Sequence, residues 1–452
     1  MGDRGAAATA LFTDLYELTM AASYHARGLL GPATFDLYAR HLPPRRGYLV
    51  ACGLEPALEF LERLRFDADA VEYLASLGLF DHAFLDFLRE LRFTGDVWAF
   101  PEGEVAFANE PLLRVTAPLV EAQVVETFLL NCVGYQSMIA TKAARVSTAC
   151  GGRPFVDFSP RRDHGTDAAM KCARASFVGG AAGTSLVLAG QRYGLELSGT
   201  MAHSYVMRFD DESEAFLTFA RSFPGRAVLL LDTYDTVEGA RRVADLADRL
   251  REEGVVPRAV RLDSGDLDTL SRSVRGVLDD AGLTEVQIFA SGDLEEYRIA
   301  ELVSAGAPID AFGVGTQLGT SGDAPHLGVV YKLVEDRSGP KMKLSPEKAT
   351  FPGRKQVHRV ATGGRYDHDV LALHDEDVAG GRALLLPVMT GGRRIEAPEP
   401  LAVMRDRCRA AVHALPGRVR ALEPGEPPYD VRLSPGLDAL VSKLRDRSHG
   451  SA

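Results

Sequence analysis

From Arg153 onward, short apolar runs alternate with stretches whose apolar residues return every three or four positions. Five runs, at 154–158, 227–231, 259–262, 286–290 and 311–314, predict buried strands, and a weaker one lies at 195–201. Between them, Ala240, Val243, Ala244, Ala247 and Leu250 share one helical face, opened by Asp235 with Glu238 three residues on and closed by Gly254. Leu267, Leu270, Val274, Val277 and Leu278 repeat in the same way up to Gly282. Strands that alternate with helices are parallel and joined by right-handed crossovers, which predicts an α/β fold, closed as a barrel or open as a doubly wound sheet. Either architecture gathers chemistry beyond the carboxyl ends of its strands.

The flanks read differently. Residues 10–120 mix helices with extended runs and proline-containing turns. After about residue 340 come glycine-rich loops, an extended segment at 383–387 and a proline-rich tail near 423–429. These predict smaller α/β units around the repeated core.

Composition narrows the class. With 46% hydrophobic and 25% charged residues, 452 residues suffice for two or three well-filled domains. A net charge of −11 argues against a surface built for nucleic acid or an anionic membrane, so a polyanionic small molecule needs a locally basic pocket. Segment 332–359 carries eight Lys or Arg (Lys332, Arg337, Lys341, Lys343, Lys348, Arg354, Lys355, Arg359) against Glu335, Asp336 and Glu347; it reads equally as a phosphate-binding loop or a solvated one. Five cysteines without a C-x-x-C pair suggest neither a disulfide framework nor a zinc site. The first ten residues, with Asp3 and Arg4 before an alanine run, lack a secretory core, and no run reaches the ~18 apolar residues that span a bilayer. The cytoplasm is the expected compartment.

The candidate strand ends are polar and glycine-rich: Asp157-Phe158-Ser159-Pro160-Arg161-Arg162, Ser198-Gly199-Thr200-Met201-Ala202-His203-Ser204, Asp232-Thr233-Tyr234-Asp235, Asp263-Ser264-Gly265-Asp266, Ser291-Gly292-Asp293 and Gly313-Val314-Gly315-Thr316. Asp232 and Asp263 are the candidate magnesium ligands, since this hard ion takes carboxylate oxygens and shares itself with substrate phosphates. Asp235 and Asp266 sit closer to the following helices and read as N-caps. Gly292, Gly313 and Gly315 allow backbone N–H groups to approach an anion. Gly313 and Gly315 miss the dinucleotide spacing, and Gly179-Gly180-Ala181-Ala182-Gly183-Thr184 lacks the P-loop lysine. Neither H-E-x-x-H nor G-x-S-x-G occurs. His203 is set apart from the other histidines by its place at a strand end among small polar residues.

Taken together, from Thr13-Asp14-Leu15-Tyr16-Glu17-Leu18-Thr19-Met20 to about Arg359, these segments resemble the nicotinate phosphoribosyltransferases. The resemblance implies an irregular TIM-like α/β barrel (residues 136–335) beside a smaller α/β sandwich domain formed by the N-terminal (1–135) and C-terminal (336–452) segments. It implies a homodimer with shared active sites, Tyr16 reaching a neighbour's site. It implies that ATP, a co-substrate, phosphorylates His203, and that Phe158 and Arg161 bind the pyridine, with Arg162 able to share the task. Arg261, Asp263, Ser264 and Gly265 then contact the ribose phosphate and Mg2+, with Asp232 as a further metal ligand. Ser291, Gly292, Asp293, Gly313, Gly315 and Thr316 form the 5′-phosphate loops. Nicotinamide enzymes place an aspartate after a Gly-Thr pair where this chain has Ser185, so nicotinate is favoured. Asp163 and His164 vary around the family pattern and take no role. The substrates implied are nicotinate, phosphoribosyl pyrophosphate and ATP, with nicotinamide, quinolinate or a non-catalytic nucleotide-binding module as alternatives. An aldolase or isomerase is disfavoured because no candidate strand ends with a lysine.

Overall fold

In a computed structural model, residues 9–345 and 350–449 are described; Asp3, Arg4, Glu347 and Lys348 lie outside them. The chain divides into two compact units, one made of Met1–Met138 with His326–Ala452 and the other of Ile139–Pro325. The two ends of the chain build the sheets of the first unit together.

The Ile139–Pro325 unit is built on six parallel strands in the order Gly183–Thr184, Phe155–Asp157, Ala311–Val314, Gln287–Ala290, Ala259–Leu262, Val228–Leu230. Two of the runs foreseen, 259–262 and 311–314, coincide with strands end to end, and three others contain shorter ones. Val156, Ala259 and Phe289 pack on one face with Phe158, Val228 and Ala311. The helix Leu267–Asp280 packs against Thr236–Asp245, and Gly282 follows it with φ +68°, the left-handed conformation that ends a helix cheaply only at glycine.

Two expectations need correction. The stretch 236–252 is two helices, Thr236–Asp245 and Ala247–Glu252, meeting at Leu246. Ala240, Val243, Ala247 and Leu250 are still all buried, so the apolar stripe survives the break. The weak strand at 195–201 does not form: Leu197 makes an isolated parallel bridge to Thr184, and the chain then runs irregularly into the helix His203–Val206. Glu196, Leu197 and Gly199 are all exposed, so no alternation of burial holds this stretch as a strand.

In the other unit, Pro32–Ala39 runs antiparallel to Val329–Asp336 on one side and Pro111–Pro118 on the other, inside a seven-stranded sheet. Seven of its eight residues are buried. Asp36, at its middle, meets the Lys355 ammonium at 2.8 Å. Lys355–Thr362 belongs to a four-stranded sheet with Gly381–Ala383, Arg365–Leu373 and Asp430–Leu433. There Arg359 is buried against Glu104 (2.8 Å) and Asp369 (2.6 Å). Arg354 pairs with Glu335, and Lys341 with Asp336, both at 3.2 Å. The segment 332–359 is therefore not one free basic loop: Lys355 and Arg359 neutralise buried carboxylates that come from elsewhere in the chain.

Among the described residues no helix is long and apolar enough to cross a membrane. All five cysteines are free and buried.

Candidate active site

At the carboxyl end of Phe155–Asp157 the chain turns through Phe158 and Ser159. Asp157 is fully buried and anchors the turn: Oδ1 accepts from the Ser159 amide (2.9 Å) and hydroxyl (2.6 Å), and Oδ2 from the Thr184 hydroxyl (3.0 Å). Burial pushes its pKa up, and these three hydrogen bonds oppose the shift. The Ser159 hydroxyl also lies 3.2 Å from Asp163 Oδ2. The Asp163 carboxyl is pushed up to about 6, by burial first and by the neighbouring Asp157 second. Its Oδ1 is buried without a hydrogen bond.

The anchored turn lays Phe158 across the sheet. A Cβ on Gly313 would stand 2.7 Å from the Phe158 ring and 2.9 Å from that of Phe289, so only glycine admits this aromatic floor. The two rings are 5.5 Å apart. Arg261 sets its guanidinium carbon 5.6 Å from the Phe158 centroid.

Arg261 also gathers the strand ends. Nε donates to Ser291 Oγ (2.7 Å), one terminal nitrogen to Asp263 Oδ1 (2.7 Å) and the other to Thr200 Oγ1 (2.8 Å). Ser291 donates in turn to Asp263 Oδ1 at 2.6 Å. Asp232 Oδ2 accepts from the Asp263 amide (3.2 Å) and the Ser264 hydroxyl (2.5 Å). Next to Asp232, Thr233 Oγ1 lies 3.2 Å from Nδ1 of the half-buried His203. Gly292 has φ +94°, and a Cβ there would stand 2.0 Å from the Asp263 carbonyl oxygen. Gly265 has φ +81° and Asp293 φ +46°. Gly315 caps the short helix Thr316–Gly319. Asp235 caps its helix by accepting from the Glu238 amide (2.8 Å), whereas Asp266 takes the Thr269 hydroxyl (2.6 Å).

Four of the foreseen segments are thus wired together through Arg261, Asp263, Asp232, Ser264 and Ser291, and Phe158, Gly313 and His203 join them through the contacts above. Arg161, Arg162 and Ser185 are exposed, and the two arginines make no ion pair or side-chain hydrogen bond among the described residues. Tyr16 belongs to the other unit, on the helix Leu15–Ala26; it is exposed, and burial first and the Glu126 charge second hold its hydroxyl well above the usual tyrosine range. Thr200, Thr233, Asp157 and Asp163 drew no assignment from sequence. Their signal was only that they flank strand ends, because a hydroxyl's partner cannot be read from its neighbours.

The fit of a magnesium ion can be judged from the carboxylates. Asp232 Oδ1 is buried without a hydrogen bond, the state of an oxygen kept for a cation, and both hydrogen bonds of the Asp263 carboxylate fall on Oδ1. No group of three or more His, Cys, Asp or Glu among the described residues is arranged to hold a metal. Two carboxylates suit magnesium when substrate phosphates complete its shell.

Residues 11–134 match the model of the nicotinate phosphoribosyltransferase (NAPRTase) N-terminal domain. The chain is 51% identical over 437 residues to nicotinate phosphoribosyltransferase pncB2 of Mycobacterium tuberculosis (strain ATCC 25618 / H37Rv), covering 96% of this chain and 94% of that one. It is 44% identical over 396 residues to nicotinate phosphoribosyltransferase of Bacillus subtilis (strain 168), covering 84% and 80%. The crystal structure of human nicotinic acid phosphoribosyltransferase superposes with a TM-score of 0.86 at 30% identity, over 96% of this chain and 99% of that one. The mixed α/β architecture with its parallel sheet is the fold of that structure, and this chain belongs to the nicotinate phosphoribosyltransferase family.

Proposed function

We propose that the chain transfers the phosphoribosyl group of phosphoribosyl pyrophosphate to nicotinate, giving nicotinate mononucleotide and pyrophosphate, and couples the transfer to ATP hydrolysis through His203. The observation that carries this reading is the aromatic floor of Phe158, set on Gly313, with the Arg261 guanidinium beside it and the Asp232 and Asp263 carboxylates tied to the same arginine's network. A flat cationic and aromatic site next to oxygen ligands suits a planar anionic ring that meets a phosphorylated sugar.

The pyridine nitrogen forms its bond to C1 of the ribose while the bond to pyrophosphate breaks, through an oxocarbenium-like transition state. Catalysis then rests on alignment and on stabilising the departing charge. Phe158 stacks the ring. Arg161, exposed and unpaired, turns its fork of donors to the carboxylate, with Arg162 beside it, and Ser185 supplies a hydroxyl where an acid would repel it. Ser264, Gly265, Ser291, Gly292, Asp293, Gly313, Gly315 and Thr316 hold the ribose and its 5′-phosphate by hydroxyl and backbone donors. Asp232 and Asp263 would hold Mg2+, which supplies Lewis-acid stabilisation of the leaving group. Thr233 orients the His203 ring through Nδ1. An imidazole nitrogen takes the γ-phosphoryl of ATP as ADP leaves, and water later releases phosphate.

The same reading closes the parallel sheet into an irregular α/β barrel and makes a sandwich of the chain's two ends, in a homodimer where Tyr16 serves the partner's site. The five free, buried cysteines support a reducing, cytoplasmic setting.

A substrate panel tests this function. Nicotinate, nicotinamide and quinolinate are each supplied with phosphoribosyl pyrophosphate, with and without ATP, and the mononucleotide is measured. Nicotinate should be turned over fastest, and faster with ATP. Equal or greater turnover of nicotinamide or quinolinate would overturn the substrate, and no acid-labile label on His203 from γ-labelled ATP would overturn the coupling.

A further inference from the structure

We propose that Thr200 is a positioning residue that links the His203 segment to Arg261 and so passes the phosphorylation state of the histidine to the phosphoribosyl pyrophosphate site. The link rests on the phosphohistidine reading above.

Arg261 has five N–H donors. Two are spent on Ser291 and Asp263, from neighbouring strand ends, and one on Thr200. Two remain to meet an anion. Among the described residues Thr200 takes the one hydrogen bond that Arg261 makes to the His203 segment. Its hydroxyl accepts from Arg261 at 2.8 Å and donates to the Met201 carbonyl at 3.0 Å, so both of its roles are in use.

The turn that carries Thr200 and His203 is pinned at Met201 (4% exposed) and Val206 (1% exposed), on either side of the histidine. His203 is held separately at Thr233, beside Asp232. A phosphoryl group adds a charge of about −1.5 to −2 to this turn. Any shift of the turn reaches the guanidinium through the Thr200 hydroxyl and changes the aim of the two donors left for substrate. A coupling of this kind needs an element that both ligands bias, and the Thr200 to Arg261 hydrogen bond joins the two.

The test compares the wild type with Thr200→Val, which removes the hydroxyl, and Thr200→Ser, which keeps it. Three quantities are read: the KM for phosphoribosyl pyrophosphate without and with ATP, the acid-labile label on His203 from γ-labelled ATP, and ATP consumed per mononucleotide formed. Thr200→Val should still take the label. Its KM ratio without and with ATP should fall by about tenfold or to near one, and its ATP consumption per product should rise. Thr200→Ser should restore both. A full ATP effect on KM in Thr200→Val overturns the link alone, and so does loss of the label in that variant, which would put Thr200 in the phosphoryl transfer itself. Wild-type protein with neither label nor ATP effect overturns the phosphohistidine reading, and the link falls with it.

Discussion

Arg161 and Asp163 stand two residues apart in one turn and respond to opposite pressures. Arg161 is exposed and unpaired among the described residues, so Arg161→Ala should leave the melting temperature within a degree or so, since exposed substitutions shift stability by less than about 0.5 kcal/mol. A lost hydrogen bond to a charged substrate is worth about 1.5–3 kcal/mol, so the nicotinate KM should rise by about ten- to a hundredfold. An unchanged KM in steady-state kinetics would remove Arg161 from the pyridine site. Asp163 holds its proton up to about pH 6, against about 3.9 in an unfolded chain. Between those values the folded state binds the extra proton, so stability falls as pH rises through the window and stays reduced above it. Asp163→Asn should therefore melt higher than wild type at pH 8, with the gap closing towards pH 4. Thermal melts at the two pH values decide it.

The strands of the parallel sheet were legible because each is a compact apolar run bounded by turn residues, and 259–262 and 311–314 formed as written. The run 195–201 misled because its apolar residues, Leu195, Leu197 and Met201, alternate as in a strand, yet the strand Gly183–Thr184 meets it only at Leu197, through a single bridge. The polar strand ends were legible as a group. Their wiring was not, because the three donors of Arg261 reach Thr200, Asp263 and Ser291 from different loops. At Gly313 the structure gives a reason for glycine that sequence hides: it is not needed for its φ but for the rings above it. In Gly313→Ala the Phe158 ring must move, so the nicotinate KM should rise. Forcing a methyl into packed rings costs about 1–3 kcal/mol, visible as a lower melting temperature. A variant that keeps both values would show that Phe158 is not held where it appears.

At the scale of the molecule, composition misjudged the basic segment. Eight cations in 28 positions look like a surface, but the acids that claim Lys355 and Arg359 lie outside the segment, at Asp36 and Glu104 far back in the sequence and at Asp369 on the next strand. Arg359 sits between Glu104 and Asp369, and Tyr429 donates to Asp369 at 3.0 Å. Close by, Glu110 has its carboxyl pushed well up, by burial first and by Asp369 second. Arg359→Met leaves the Asp369 carboxylate without its cation, while Glu104 keeps Arg382 at 2.8 Å, and breaking a buried pair in this way costs about 3–5 kcal/mol. Urea unfolding should show that loss as a lower midpoint; a midpoint within error of wild type would mean that the acids simply take up protons.

The pairing of Pro32–Ala39 with Val329–Asp336 sets an order on the ribosome. For the time it takes to make nearly three hundred further residues, a long apolar strand has one side unclaimed, its amides and carbonyls open to any extended chain that passes. The residues that close that side emerge late, so the newborn protein passes through a sticky stage before Val329–Asp336 arrives to seal it.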